Sequence, residues 1–334
     1  MSASVTKTPD RLQLLSGPQP RHAGSFAEDV RAGLTSSPKR VPSKYFYDEL
    51  GSALFDSITL LPEYYLTRAE TQILREWGWE IVRALGNPIE FIELGSGSAV
   101  KTRILIEEAL RIQRTLKYSA IDISGEALRA SAQALVERYP TLSVTAYEAD
   151  YFSILGTATL KRSGRVLAMF MGSNIGNYEP GDARRLLSGI AASLKAGDGL
   201  LLGADLKKKA RTLELAYDDP TGVTSAFNKN LLSRMNRELG AHFDLEQFTH
   251  IAEYDAKNGR VCSFLESMRA QRVSIDALEM TVAFARGERI HTESSYKYSM
   301  DDIATLAEET GYALDRTWTD EERRFSVNLL RRTP

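Results

Sequence analysis

One cysteine, Cys262, in 334 residues leaves no partner for an internal disulfide, and that scarcity fits a reducing compartment. Long apolar runs are missing too. No stretch is sufficient to span a bilayer and the N-terminus carries no signal-peptide core, so a cytoplasmic protein without a membrane partner is expected. Excess charge is absent: the formal net charge is −2, and the densest basic run, Lys207-Lys208-Lys209, has no aromatic residue interleaved. That run reads as solvated surface, and nucleic acid is not an expected partner. The histidines His22, His242, His250 and His291 include no pair at ligand spacing, which argues against a metal site. No serine stands in a Gly-x-Ser-x-Gly elbow, so a Ser-His-Asp hydrolase is disfavoured. Internal repeats and low-complexity tracts are lacking as well.

What is present is concentrated in one stretch. The apolar run Ile89–Leu94 ends at Gly95-Ser96-Gly97-Ser98 and continues into a helix through Lys101 and Ile106. Strand, glycine turn and helix in that order make the first βα turn of a doubly wound sheet, with a ligand at the carboxyl edge. Gly95 and Gly97 lack the Cβ atoms that would hold a ligand off the backbone. A dinucleotide fingerprint needs a third glycine three positions after Gly97, and Val100 stands there instead. Glu93, just before the turn, suits a cationic cofactor better than a pyrophosphate. S-adenosylmethionine, a sulfonium carrying an amino acid and a nucleoside, fits.

The next apolar strand ends at Asp122, where a carboxylate can hold a ribose hydroxyl pair. After the strand-like Leu142–Tyr147 comes Asp150-Tyr151, an acid placed for the exocyclic amine of adenine beside an aromatic ring that can cover the base. Val166–Met171 is apolar throughout, which suits a central parallel strand, and it runs into Gly172-Ser173-Asn174-Ile175-Gly176-Asn177. Amides and hydroxyls in that loop can hold an amine nucleophile without adding charge. The Asn-Pro-Pro-aromatic sequence of methylases acting on base amino groups is absent, so a nucleobase target is disfavoured.

Helix and apolar strand alternate from about Ala69 to Asp205, and then the alternation stops. The following segment looks like an insertion carrying a helix near Phe227–Ser233 and several amphipathic strands. A helix near Met300–Glu309 and a strand over Phe325–Leu330 can rejoin the sheet. The expected fold is α/β. A cofactor domain spans 69–205 and 298–334, a second, substrate-binding domain spans 26–68 and 206–297, and residues 1–25 form a flexible N-terminus.

Tyr45-Phe46-Tyr47-Asp48-Glu49-Leu50-Gly51-Ser52-Ala53-Leu54-Phe55-Asp56, followed by Leu61-Pro62-Glu63-Tyr64-Tyr65-Leu66-Thr67-Arg68, resembles the N-terminal signature of the histidine-specific N-methyltransferases. The Gly95 turn, the Gly172-to-Asn177 loop, Tyr217-Asp218-Asp219 and the Thr292-Glu293-Ser294-Ser295 loop extend the similarity, which runs from about Lys39 to the C-terminus. Members of that family trimethylate the α-amino group of L-histidine to hercynine, the first step of ergothioneine biosynthesis. Fungal relatives methylate a prenylated tryptophan. The resemblance implies a Rossmann-like class I methyltransferase sheet, S-adenosylmethionine as cofactor and L-histidine as the small-molecule partner; apart from the resemblance, a monomer is expected. It also implies a cofactor set of Gly95, Gly97, Lys101, Asp122, Asp150 and Tyr151. Tyr64, Asn177 and Tyr217 correspond to residues that hold the substrate's amino and carboxylate groups, with Gly172 in the same loop. Glu293 and Ser295 correspond to the pair that reads the imidazole, with Tyr47 close by. Three positions depart from the family pattern: Leu66 stands where proline is expected, Asn174 where a small hydroxyl residue is usual, and Phe264–Met268 aligns loosely with a segment of the pocket wall.

Methyl transfer needs amine, methyl and sulfur in line, and the attacking nitrogen must be neutral. Asn177 is the candidate for orienting the amine, while a tyrosine hydroxyl (Tyr47 among them) or a water carries its proton away. Tyrosine faces suit the quaternary product, which can no longer donate hydrogen bonds. Other readings are the same chemistry on another amino acid or aromatic amine, a nicotinamide oxidoreductase, and a non-catalytic amino-acid-binding module. Val100 disfavours the second, and Gly95, Asp122 and Asn177 together disfavour the third.

Overall fold

The computed structural model describes residues 11–17, 25–123, 125–149 and 164–334. Their strands, in chain order, are β1 (Leu12–Ser16), β2 (Lys39–Arg40), β3 (Ile89–Leu94), β4 (Leu116–Asp122), β5 (Leu142–Glu148), β6 (Arg165–Phe170) and β7 (Gly199–Asp205). Beyond these come β8 (Phe248–Asp255), β9 (Arg260–Ser267), β10 (Gln271–Ile275), β11 (Met280–Phe284), β12 (Arg289–Tyr296), β13 (Tyr312–Thr319) and β14 (Phe325–Arg332).

Strands that are apolar on both faces belong between two layers. β3 and β7 are buried at every residue and β6 at all but its first. They occupy the middle of an eight-stranded sheet of order β1-β5-β4-β3-β6-β7-β14-β13. Pairing is parallel from β1 through β7, and antiparallel between β7 and β14 and between β14 and β13. Alternate residues feed opposite cores, as the two-residue period of a strand requires. Phe91, Leu167, Met169 and Leu201 pack with Ile73, Ile81, Leu105 and Leu128 from the helices Leu66–Arg83, Thr102–Ile112 and Gly125–Arg138. Ile92, Ala168, Phe170 and Leu202 face Leu186, Leu187 and Leu306 from the helices Pro180–Ser193 and Met300–Glu309. The parallel strands therefore end together on one edge, where their loops gather.

A second sheet, β2-β12-β9-β8, meets that edge where β12 packs on the Asn174–Asn177 turn after β6, and β10 and β11 form a separate hairpin. The N-terminal segment joins the insertion here: β2 pairs parallel with β12, and the helix Glu49–Thr59 packs on the helix Val223–Leu239, which also lies against β8 and β9. Asp48 caps the first of these helices by accepting from Gly51 N at 2.7 Å.

Several sequence expectations differ from what is seen. The stretch expected to be flexible over residues 1–25 contains β1, an edge strand paired with β5. Only Leu12 of that strand is buried, so its apolar pattern is weak; Arg11 anchors it through bonds to the carbonyls of Val136, Tyr139 and Leu142. The division between 68 and 69 falls inside the helix Leu66–Arg83. Thr292–Ser295 is not a loop but part of β12, interrupted by a bulge between His291 and Glu293. The basic run is not all solvated, since Lys208 turns inward to Asp205.

Candidate active site

At the carboxyl end of β3 the chain turns with Gly95 at φ 74° and Gly97 at φ 48°. That left-handed backbone favours glycine. Gly97 N donates to Asp122 Oδ2 at 2.9 Å, tying the first turn to the end of β4. Among the described residues, a Cβ on Gly97 would meet no atom within 4 Å, which leaves room for a cofactor to approach the turn. Glu93 does not face that space. Its buried carboxylate accepts from Thr102 Oγ1 at 2.7 and 2.8 Å and from Tyr118 Oη at 2.5 Å, bracing the turn against the helix that follows. Burial pushes its pKa up to about 7, against the lowering effect of those two hydroxyls.

Lys101, in the first turn after the glycines, pairs with Glu70. Glu70 is fully buried and also accepts from Gly172 N at 2.9 and 3.0 Å. One carboxylate thus ties the turn after β3 to the loop after β6. Asp150 and Tyr151 lie outside the described residues.

Beside Gly172 opens a pocket between the sheet edge and the second unit. Tyr47, Tyr64, Gly172, Asn177, Tyr217, Glu293 and Ser295 all line it, so the seven residues expected to meet the substrate share one cavity. Phe55, Phe227, Thr224 and Asn228 line it as well, as do Leu66 and Asn174, two of the positions that depart from the family pattern. Tyr47 packs edge-on against Phe55 and Phe227, with centroids 5.6 and 5.7 Å apart; Phe55 meets Tyr64 at 6.1 Å, and Tyr64 meets Tyr217 at 6.5 Å. Asn177 arrives on a short 3₁₀ turn, Asn174–Asn177, that presses on β12. A Cβ on Gly176 would lie 2.7 Å from Tyr296 O, so only glycine allows that approach.

The bulge in β12 turns Glu293 toward the cavity, and the two-residue period then aligns Ser295 and Lys297 on the same face. Burial pushes the Glu293 pKa up to about 7, with the Lys297 ammonium opposing. Behind the pocket lies an enclosed polar cluster. Lys297 pairs with Asp205 at 2.9 Å and donates to Tyr217 Oη at 2.8 Å and Ser295 Oγ at 2.9 Å. Asp205 also accepts from Tyr65 Oη at 2.8 Å and from Lys208 at 2.6 Å. Burial alone would raise Asp205, but Lys297 and Lys208 hold it below the usual carboxylate range. Burial in turn pulls Lys208 down to about 8, against its pairing with Asp205.

Sequence reading passed over Asp205, Lys297, Glu70 and the aromatic walls Phe55 and Phe227. Two signals were there to use: Lys297 continues the alternation of Glu293 and Ser295, and Asp205 closes the apolar run Leu200–Ala204 at the sheet's carboxyl edge. Among the described residues, no group of three or more histidine, cysteine or acidic side chains is arranged to hold a metal ion, and no helix is long and apolar enough to cross a membrane.

Residues 26–332 match the model of a family described as histidine-specific methyltransferase, SAM-dependent. The chain belongs to this family. The histidine N-alpha-methyltransferase of Mycolicibacterium smegmatis is 41% identical over 307 residues, 92% of this chain and 95% of that one. The protein of the same name from Mycobacterium tuberculosis is 41% identical over 310 residues, 92% of this chain and 95% of that one. N-methyltransferase imqF of Aspergillus flavus is 29% identical over 315 residues, 90% and 83% of the two chains. Family membership makes the chain an S-adenosylmethionine-dependent methyltransferase. The cradle at Gly97, the acid at the end of β4 and the Lys101 cation in the following helical turn fit that cofactor's nucleoside and amino-acid ends.

Proposed function

We propose that this enzyme transfers three methyl groups from S-adenosylmethionine to the α-amino group of L-histidine, yielding hercynine, the first step of ergothioneine biosynthesis. One observation carries the reading: seven residues of the expected substrate set line a single pocket, and its Gly172 edge is bonded through Glu70 to Lys101 of the cofactor turn. The name of the mycobacterial relatives supports the same substrate.

In this reading Gly95, Gly97 and Asp122 hold the nucleoside side of the cofactor, Lys101 its carboxylate, and Asp150 and Tyr151 its adenine. The cofactor supplies an electrophilic methyl on a sulfonium, so what remains for the chain is positioning. Tyr217 and Tyr64 hold the substrate carboxylate. Asn177 accepts an N–H of the amine through its side-chain carbonyl and aims the nitrogen lone pair across Gly172. The α-ammonium must first lose a proton, which passes to a tyrosine hydroxyl (Tyr47 is the candidate) or to water. Glu293 and Ser295 read the two imidazole nitrogens, and a site built on such bonds rejects rings that leave its polar groups unpaired. The ring faces of Tyr47, Phe55, Tyr64 and Phe227 suit successive methylated ammonium states, which attract aromatic faces without needing a donor.

We further read residues 26–68 and 206–297 as the substrate-binding unit, with its first border moved to the start of the helix at Leu66, and the enzyme as a cytoplasmic monomer. The test is mass spectrometry of products after incubation with S-adenosylmethionine and a panel of amino acids and aromatic amines. Histidine gaining three methyl groups in preference to tryptophan supports the reading, and methylation of a different amine with histidine untouched overturns it.

A further inference from the structure

Lys297 is sealed from solvent, and its ammonium has three hydrogens for three partners: Asp205 at 2.9 Å, Tyr217 Oη at 2.8 Å and Ser295 Oγ at 2.9 Å. Nothing of it is left over for a ligand. Its effect on the pocket must therefore pass through the two hydroxyls, which themselves lie 2.8 Å apart. Each hydroxyl oxygen offers one hydrogen and two acceptor sites. The ammonium fills one acceptor site on each oxygen. The bond between the two hydroxyls uses one hydrogen and one further acceptor site. What remains is a single hydroxyl hydrogen on one oxygen and a single acceptor site on the other.

We infer that Lys297 is a positioning residue that fills the competing acceptor sites of the Tyr217–Ser295 pair, so that the pair meets the pocket as a donor, and thereby makes the enzyme prefer substrates carrying a free carboxylate over the corresponding amines. The inference rests on the histidine reading above. Without the ammonium the pair still has one hydrogen to give but three acceptor sites in place of one, so its face toward the pocket becomes chiefly an acceptor, which a carboxylate cannot use. The charges behind it act in the same direction. Asp205 balances Lys297, and protonated Lys208 leaves the cluster with one net positive charge beneath the hydroxyls. A carboxylate receiving a bond from a hydroxyl so polarised gains a charge-assisted interaction, about twice as strong as a neutral one.

The experiment compares Lys297→Met with the unsubstituted enzyme, and repeats the comparison in a Tyr217→Phe/Ser295→Ala background. Four quantities are read: kcat and KM for histidine, competitive inhibition by histamine (which lacks the carboxylate), and affinity for S-adenosylhomocysteine. We expect KM for histidine to rise roughly 10- to 100-fold in Lys297→Met, with cofactor-product affinity and the histamine inhibition constant changed less than about threefold. In the doubly substituted background the same replacement changes KM less than about threefold, because the hydroxyls through which it acts are gone. Equal weakening of histidine and histamine, or an undiminished effect in that background, would overturn the role of Lys297. Absence of histidine turnover in the unsubstituted enzyme would overturn the histidine reading and this inference with it. Should Lys297→Met fail to fold, Lys297→Met/Asp205→Asn removes the buried pair together and carries the same comparisons.

Discussion

Replacing Glu293 with glutamine separates the enzyme's stability from its function in a way that depends on pH. Burial lifts this carboxyl from 4.5 to about 7, with only Lys297 opposing, so the folded protein holds a proton that the unfolded chain has already released. The sign follows directly. Between pH 4.5 and about 7 the folded state binds more protons than the unfolded one, and Glu293's contribution to stability falls as pH rises through that window. Above pH 7 the penalty is complete. At about 1.4 kcal/mol per pH unit over the window from 4.5 to about 7 it amounts to at most about 3–4 kcal/mol, less where pocket water reaches the carboxylate. Glutamine keeps the shape and removes the titration. Urea unfolding should therefore find Glu293→Gln more stable than the parent by about 1–3 kcal/mol at pH 8, with most of that difference gone at pH 5. Glu93, also raised to about 7 by burial, titrates in both proteins and cancels in the comparison. In the same variant, KM for histidine should rise roughly 10-fold or more, because an amide oxygen carries no charge for the imidazole N–H. A stability difference of equal size at both pH values would refute the reasoning, since it would mean that Glu293 titrates as an exposed acid.

Other perturbations address the remaining parts of the site. Asn177→Ala should cut histidine turnover by about 100-fold or more while S-adenosylmethionine affinity, measured calorimetrically, stays within a few-fold, because Asn177 lines the substrate pocket and not the glycine turn. Tyr64→Leu removes one of the ring faces around the cavity and should cause mono- and dimethylated histidine to accumulate, read by mass spectrometry; an unchanged product distribution would assign Tyr64 to packing alone. Gly176→Ala places a methyl 2.7 Å from Tyr296 O, so it should lose roughly 1–3 kcal/mol of stability in urea and lower activity by displacing Asn177.

The cofactor half of the site is local in the chain, and that made it readable. Gly95, Gly97 and Lys101 share one turn, and Asp122 ends the neighbouring strand, so spacing along the sequence maps directly onto the sheet edge. The substrate pocket is assembled from segments as far apart as Tyr47 and Ser295, and no periodicity links them. Family resemblance supplied those positions where pattern could not. It did not supply Lys297 or Asp205, whose importance lies in contacts behind the pocket wall. Glu93 was misplaced for a related reason: an acid before a glycine turn looks the same whether it faces the ligand or is turned inward by Thr102 and Tyr118. β1 was missed because one buried leucine in five residues leaves no apolar signal, and its order depends on bonds from Arg11 and an open edge on β5.

In the proposed reaction the α-nitrogen, and neither ring nitrogen, receives the methyl groups. Carbon-13 NMR of histidine after turnover with S-adenosylmethionine labelled in its methyl carbon tests it most directly. Three equivalent labelled methyls on the α-nitrogen, with the imidazole unlabelled, is the predicted result. Label on a ring nitrogen would contradict the account, because it would mean that the imidazole lies toward Gly172 and the cofactor turn instead of against Glu293 and Ser295.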